Sequence, residues 1–178
     1  VTHLLKAADF QYPEALFILG QVYSKRQYGL YDINKALYYF ELASKYNYVK
    51  AQSFCGNYYF SHLDLPKALN KTIHYYTLAA ENGSYVAQVN LASIYYNGDL
   101  IPRDMTKAIH FYTLAADNND NENAQYMLGM IYLEGIGIKR DIKKGVYYLE
   151  RSAEKKYVRA QYAIGKIFYK GIYVIRDV

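Results

Sequence analysis

The sequence predicts an all-α fold, a right-handed superhelix (solenoid) of about five 36-residue helix-turn-helix repeats. Three observations predict it. A nine-residue segment that begins with alanine recurs five times, its spacings are 36, 36, 37 and 36 residues, and a second helical segment follows each of the first four copies in register. A fixed period of this size is typical of a solenoid that stacks one supersecondary unit. The recurring segments are Ala15–Tyr23, Ala51–Tyr59, Ala87–Tyr95, Ala124–Tyr132 and Ala160–Phe168.

Each recurring segment is predicted to form the first helix of its repeat. Apolar or small residues stand at the alanine and at four, five, seven and eight positions after it, which is the spacing of one helix face. The residues five positions after the alanine are Gly20, Gly56, Ala92, Gly129 and Gly165. Because glycine inside a helix costs about 1 kcal/mol relative to alanine, its recurrence predicts that a second helix approaches closely there. Cys55 stands where the other copies have leucine or isoleucine, so we expect it to be a small core residue.

The second helix of each repeat is predicted to begin after an aspartate. Asp32, Asp104 and Asp141 precede these helices, where a carboxylate can accept hydrogen bonds from free N–H groups and suits the helix dipole. The second repeat departs from this pattern, because Ala68 occupies the aspartate position. The single 37-residue spacing predicts one inserted residue in the polar turn at 118–123.

Several features recur together in the repeats. They are the alanine, glycine and tyrosine of the first helix, a glycine-containing loop, the Asp-x2-Lys-Ala start of the second helix and a final pair of small residues. This combination resembles the Sel1-like repeat, a relative of the tetratricopeptide repeat, over essentially the whole chain. The resemblance implies a single array over residues 1–178, which we expect to be a piece of a longer protein. Its predicted units are a partial unit 1–13, repeats 14–49, 50–85, 86–122 and 123–158, and a partial unit 159–178.

The positions two, six and nine residues after each alanine are the candidate binding positions. They lie on the side of the first helix opposite the core residues, and similarity to tetratricopeptide arrays implies that this side lines a concave groove. Their identities vary between repeats, and aromatic residues there could anchor a peptide while amides pair with its backbone. The alternative is that they pack against the neighbouring first helices. The expected partner-binding residues are Phe17, Asn57, Phe60, Val89, Ser93, Tyr96, Tyr126, Met130, Leu133, Tyr162, Lys166 and Tyr169.

No catalytic or metal-binding residues are predicted. His74 and His110 are 36 residues apart and share one repeat position, and the capping aspartates share another, so the architecture accounts for both sets. The sequence has no Cys/His cluster with zinc spacing and no glycine-rich phosphate loop after a strand. We therefore expect a chain that is not an enzyme and uses no cofactor or metal.

The distribution of charge bears on the kind of partner. Residues 139–170 carry 10 basic and 3 acidic side chains, whereas residues 1–138 carry 10 basic and 12 acidic ones. This asymmetry can indicate an acidic partner, a membrane surface or nucleic acid, but a solvated helix face is the interpretation that we favour. An acidic segment of a protein or peptide partner is the alternative. RNA is a rival partner, but the lysines form no stripe through every repeat, so a protein partner is favoured over nucleic acid. No apolar run approaches the 18 residues of a membrane span.

The predicted function is therefore a protein-interaction scaffold, such as an adaptor in a signalling or protein-quality-control complex. The alternative is a structural spacer or self-association module that stacks through its repeat ends. The compartment stays open between the cytoplasm and the endoplasmic reticulum lumen, where one branch of the resembling family is the adaptor of a membrane ubiquitin ligase. Asn70 and Asn82 match the glycosylation pattern, which bears only on the lumenal alternative.

Overall fold

The computed structural model describes residues 2–65 and 67–169. This part of the chain forms ten α helices and no β strand, which confirms the all-α prediction. None of these helices is both long and apolar enough to cross a membrane. Residues 170–178 of the predicted partial unit 159–178 lie outside the described residues. The helices are α1 (Thr2–Asp9), α2 (Pro13–Ser24), α3 (Ile33–Lys45), α4 (Val49–Phe60), α5 (Ala68–Glu81), α6 (Tyr85–Asn97), α7 (Met105–Thr113), α8 (Glu122–Glu134), α9 (Ile142–Glu154) and α10 (Val158–Tyr169).

The chain divides into two compact units, Val1–Ala87 and Gln88–Val178. In the first unit, each helix from α1 to α4 packs against the helix that follows it in sequence. In the second unit, α7 packs on α8, α8 on α9 and α9 on α10. Helix α6 begins in the first unit and continues in the second. We call the even-numbered helices from α2 to α10 the first helices of their repeats, and α3, α5, α7 and α9 the second helices.

The glycine in the middle of a first helix is a point of close approach for the second helix. A Cβ atom added to Gly20 would lie 2.6 Å from a ring carbon of Phe40, and one added to Gly56 would overlap the ring of Tyr76. Gly129 has the same relation to the next second helix. Phe40 and Tyr76 are both buried, so neither ring has room to move away. The predicted reason for the recurring glycine is confirmed.

Aspartate caps begin three of the second helices as predicted. The Oδ1 atoms of Asp32, Asp104 and Asp141 each accept a hydrogen bond of 3.0 Å from the backbone N–H three residues later. These bonds satisfy donors that have no partner inside the helix. Helix α5 has no such cap, because Lys67 precedes it in a left-handed conformation with φ 61°.

Cys55 is a core residue, which confirms the prediction. Its side chain is fully buried and packs in a cluster with Ala36 and Phe40. Burial raises the pKa of its thiol to about 12. The thiol therefore stays protonated at neutral pH and behaves as a small apolar side chain.

The extra residue of the third repeat lies in a helix, and this corrects the prediction that it enlarges a turn. Helix α7 continues directly into a π-helical segment, Leu114–Asn118. Only residues 119–121 then separate that segment from α8, the same three-residue length as the turn between α5 and α6. A π turn can absorb one residue because its hydrogen bonds span five residues instead of four. The small pair Ala115 and Ala116 consequently stays fully buried.

Buried glutamines join the first helices to the turns between repeats, and they were not predicted from the sequence. Gln52 is fully buried; its Nε2 donates to the carbonyl of Ser44 at 3.4 Å, and its Oε1 accepts from Nδ2 of Asn82 at 3.1 Å. In the second unit, Oε1 of Gln88 accepts from Nδ2 of Asn119 at 3.2 Å. Each glutamine thus joins its own first helix to the turn that ends the same repeat. A buried amide requires such partners because leaving it unpaired is costly.

Candidate binding surface on the first helices

A cleft in the first unit lies on the candidate face of the first helices. It has a volume of about 720 Å³ and is formed by α2, α4 and the start of α6. Two expected binding residues, Phe17 and Asn57, line it, together with Gln21 and Ser53 from the same repeat positions. The remaining lining residues are Glu14, Ile18, Tyr48, Val49, Lys50, Phe54, Gly83, Ser84, Tyr85 and Val86.

The cleft combines apolar walls with a few polar groups. The centroid of the Phe17 ring lies 5.4 Å from that of Phe40 and 5.2 Å from that of Tyr48. The Phe17 side chain is therefore packed between two other aromatic rings. The hydroxyls of Ser53 and Ser84 are 2.9 Å apart and hydrogen-bonded across the cleft wall. The volume lies within the range of sites that bind small ligands or side chains, and such sites pair apolar walls with few polar groups.

Two expected binding residues, Asn57 and Ser93, form side-chain hydrogen bonds with the second helices. Oδ1 of Asn57 accepts a hydrogen bond of 2.7 Å from the hydroxyl of Tyr76. The hydroxyl of Ser93 lies 2.9 Å from that of Tyr112 and also donates to the carbonyl of Val89 at 2.9 Å. Because Tyr76 and Tyr112 are buried, their hydroxyls require these partners. The polar residues at position six therefore have a structural role that their variation between repeats concealed.

Phe60 and Tyr96 stand at position nine of their helices. Phe60 is 42% exposed at the end of α4, with its ring 6.3 Å from that of Tyr76. Tyr96 is half-buried, and the guanidinium of Arg103 lies 5.2 Å from its ring centroid. Phe60 therefore offers apolar surface to solvent, whereas Tyr96 is covered on one face by a cation.

Tyr126, Met130 and Leu133 pack against the neighbouring first helix, α10. All three are half-buried and pack on the core cluster of Leu149, Ala160 and Ile167, at the junction of α8, α9 and α10. The Tyr126 ring is also 5.5 Å from that of Tyr157. These residues fit the alternative prediction, in which the candidate positions pack against the neighbouring first helices.

The three expected residues on α10 are all exposed. Tyr162 is 70% and Tyr169 is 91% exposed, and Lys166 between them is exposed as well. The Lys166 ammonium lies 5.9 Å from the Tyr162 ring centroid. Arg159 is exposed one turn before Tyr162, and α10 contains no acidic residue. This face is therefore both aromatic and positively charged.

Part of the positive charge of residues 139–170 is neutralised within the second unit. Arg151 donates to Asp117 at 2.9 Å and to Asp120 at 3.1 Å, and Lys155 pairs with Asp120. The hydrogen bond from Lys155, with those from Gln125 and Arg151, lowers the pKa of Asp120 to about 2. Within the described residues, Lys139, Lys143, Lys156, Arg159 and Lys166 form no ion pair.

A stack of lysine, tyrosine and a second aromatic ring recurs in every complete repeat and was not predicted. The two rings lie nearly parallel, 5.6 to 6.3 Å apart, and the lysine ammonium lies 4.4 to 5.5 Å from the first ring. The sequence carries a signal for it, since the lysine always follows the tyrosine by twelve residues. The stacks are Lys35–Tyr23–Tyr39, Lys71–Tyr59–Tyr75, Lys107–Tyr95–Phe111 and Lys144–Tyr132–Tyr148.

The second of these stacks contains an additional ion pair. Lys71 donates to Oε1 of Glu41 at 2.9 Å and to the Tyr59 hydroxyl at 2.7 Å, and that hydroxyl donates to Glu41 at 2.7 Å. Burial raises the pKa of the Tyr75 hydroxyl, and the nearby Glu41 carboxylate raises it further. No group of three or more His, Cys, Asp and Glu residues in the described ranges could hold a metal ion. The hydrogen-bonded side chains of Lys71, Glu41 and Tyr59 join three helices to one another.

Comparison with known proteins gives a consistent family assignment. A family model described as the Sel1 repeat matches residues 13–45, 49–84, 86–120, 123–157 and 158–178. A Sel1 repeat protein of Oxalobacter formigenes is 30% identical with a TM-score of 0.76, covering 94% of this chain and 68% of that one. A search of curated proteins found no match.

Two other solved structures resemble the fold. A protective antigen of uropathogenic Escherichia coli, with an SLR fold, is 24% identical with a TM-score of 0.83 over 96% of this chain. The present chain spans only 36% of the length of that antigen. Helicobacter pylori cysteine-rich protein B is 25% identical with a TM-score of 0.54, covering 73% of this chain and 96% of that one.

Proposed function

We propose that this chain, which belongs to the Sel1 repeat family, is a non-catalytic scaffold that binds a polypeptide segment on the exposed face of its first helices. Proteins of this family are generally protein-interaction scaffolds. The observation that carries the proposal is the cleft of about 720 Å³ between α2, α4 and the start of α6. Four of its lining residues, Phe17, Gln21, Ser53 and Asn57, stand at repeat positions that vary between copies.

The cleft suits one apolar side chain of an extended segment. Phe17, Ile18 and Phe54 supply apolar surface, while Gln21 can pair with the backbone of the bound segment. Glu14 and Lys50 contribute one charge of each sign, so the cleft itself selects little for net charge. We expect the basic residues 139–170 to add contacts to an acidic stretch of the partner, as in an adaptor that joins two proteins.

The test is selection of peptides followed by a variant that fills the cleft. Random dodecapeptides are selected on the wild-type chain, and their affinities are measured by fluorescence anisotropy. Ser53→Trp places a large side chain in the cleft, and Ser61→Trp is the matched control because Ser61 is exposed outside it. We expect Ser53→Trp to weaken at least one class of peptides by about tenfold or more, with Ser61→Trp unchanged.

Circular dichroism checks that both variants keep the helical fold. Failure to select any peptide, or selected peptides that all bind the folded Ser53→Trp variant as well as wild type, would overturn the proposal.

Self-association through a repeat end is a second candidate function, favoured by one face of α10. Phe168 is 60% exposed, whereas Tyr59 at the equivalent position is 6% exposed beneath a second helix. Among the described residues, a Cβ atom added to Gly165 meets no other atom within 4 Å, so no described helix occupies the site of close approach there. Light scattering over a concentration series tests it: growth of the oligomer that Phe168→Ser abolishes supports this function, and a constant monomer mass excludes it.

A further inference from the structure

We propose that the exposed face of α10, formed by Arg159, Tyr162, Lys166 and Tyr169, binds an acidic peptide segment. In that segment two carboxylates stand three residues apart and flank an apolar or aromatic side chain. This inference rests on the proposed function, because it assigns a partner chemistry to one of the first helices. We call these four residues the α10 face.

The α10 face is continuous because its residues are spaced at three, seven and ten positions along one helix. Tyr162 and Tyr169 are 70% and 91% exposed, and the two cations are exposed as well. Arg159 and Lys166 are seven residues apart, which at 1.5 Å per residue is about 10 Å along the helix. A peptide in the polyproline II conformation advances about 3.1 Å per residue with three residues per turn, so two carboxylates three residues apart lie on the same side, about 9 Å apart, and match that distance.

Charge complementarity identifies the occupant as acidic. Helix α10 has no aspartate or glutamate of its own. The nearby acids Asp117 and Asp120 are already paired with Arg151 and Lys155. Arg159 and Lys166 therefore form no ion pair with any described residue, and residues 139–170 have 10 basic side chains against 3 acidic ones.

The aromatic residues indicate what stands between the two carboxylates. Tyr162 lies between Arg159 and Lys166 on the helix, and the Lys166 ammonium is 5.9 Å from its ring centroid. A side chain in the middle of the bound segment would reach the Tyr162 ring while its neighbours reach the cations. Exposed tyrosine contributes large contact area at a low entropy cost, which favours an apolar or aromatic side chain there.

A peptide fits the α10 face better than single-stranded nucleic acid does. Nucleic-acid binding requires a row of cations along the backbone and aromatic platforms for successive bases. The other first helices have no cation at the position of Lys166, so the cationic row ends with this helix. The residues at that position are Gln21, Asn57, Ser93 and Met130.

The experiment measures binding of a fluorescein-labelled dodecapeptide with Asp-Leu-Tyr-Glu at its centre. The Arg159→Glu/Lys166→Glu double variant reverses both cations, and Lys139→Glu/Lys143→Glu makes the same change in net charge at exposed residues of the same unit. Because the first variant removes two ion pairs with the peptide and replaces them with like charges, we expect it to weaken binding about tenfold or more. The second variant should change it by less than about threefold, the effect of a screened net charge.

Control probes separate the α10 face from general charge attraction. An Asn-Leu-Tyr-Gln peptide should bind at least about tenfold more weakly than the acidic one, and Tyr162→Ala should weaken the acidic peptide about fivefold. Equal losses in the two double variants, or equal binding of both peptides, would show non-specific attraction and overturn the inference. Tighter binding of a labelled oligouridine, with the same sensitivity to Arg159→Glu/Lys166→Glu, would overturn it in favour of nucleic acid.

The outcome for the α10 face can be separated from that for the proposed function. Peptides that depend on Ser53 should bind the Arg159→Glu/Lys166→Glu variant as well as wild type, because they occupy the cleft of the first unit. Suppose that these peptides bind the double variant normally and that the acidic peptide binds it as tightly as the wild type. The inference then fails, while the scaffold function stands.

Discussion

Replacing Gly56 with alanine tests whether the recurring glycine is required by the second helix. A Cβ atom at Gly56 would lie 2.6 Å from Cε1 of Tyr76 and closer still to another ring carbon, well inside normal carbon contact. Tyr76 is 1% exposed, and its hydroxyl is tied to Asn57 by a hydrogen bond of 2.7 Å. The ring therefore cannot rotate aside without losing that bond.

The magnitude follows from two opposing effects. Alanine in the middle of a helix is favoured over glycine by about 1 kcal/mol. Overpacking a buried ring costs typically about 1–3 kcal/mol, and loss of the Tyr76 hydroxyl bond adds about 1 kcal/mol. The third repeat has Ala92 in this position opposite the buried Tyr112, so the backbone can adjust to a methyl group. We therefore expect a net destabilisation of about 1–3 kcal/mol rather than loss of the fold.

The matched control is Gly165→Ala, which makes the same change at the same repeat position. A Cβ atom at Gly165 meets no described residue within 4 Å, so only the helix gain of up to about 1 kcal/mol should remain. Urea unfolding followed by circular dichroism gives the free energy of unfolding of both variants. The two changes should have opposite signs. A Gly56→Ala variant that is as stable as Gly165→Ala would refute the close approach as the reason for the glycine.

Three further predictions concern polar groups. Asp120→Asn should be less stable than wild type at neutral pH. Because folding lowers the pKa of Asp120 to about 2, the difference in the free energy of unfolding should shrink as pH falls from about 4 to about 2. Unfolding curves measured at a series of acidic pH values check this. Asn82→Ala should cost about 1–3 kcal/mol in urea unfolding, because it leaves buried Gln52 without its donor, while Asn70→Ala at an exposed site should be near neutral. Asp104→Ala should cost about 0.5–2 kcal/mol by the same measurement, through loss of the helix cap.

The features that the sequence predicts well are those that the backbone imposes on every copy. Gly56 and Gly129 recur because a second helix crosses close to the first, and Asp104 and Asp141 recur because each helix start leaves N–H groups without partners. A backbone requirement is the same in each repeat, so its period reveals it without knowledge of the contacts.

Interactions between side chains on different helices were harder to predict. Lys107 was interpreted as part of a helix start and Tyr95 as a core residue, and only the return of the second helix brings the ammonium to 4.9 Å from the ring. The buried bond between Gln52 and Asn82 spans 30 residues in the same way. The π turn after α7 was missed because a count of residues shows that one is added but not which element absorbs it.

Position six of the first helix shows why variation between repeats is not by itself a mark of ligand binding. Asn57 and Ser93 each pair with the hydroxyl of a buried tyrosine on the second helix, Tyr76 and Tyr112. Where the second helix has Phe40 or Leu149 instead, position six holds Gln21 or Met130. Its identity thus follows that of a core residue, because a buried hydroxyl requires a partner.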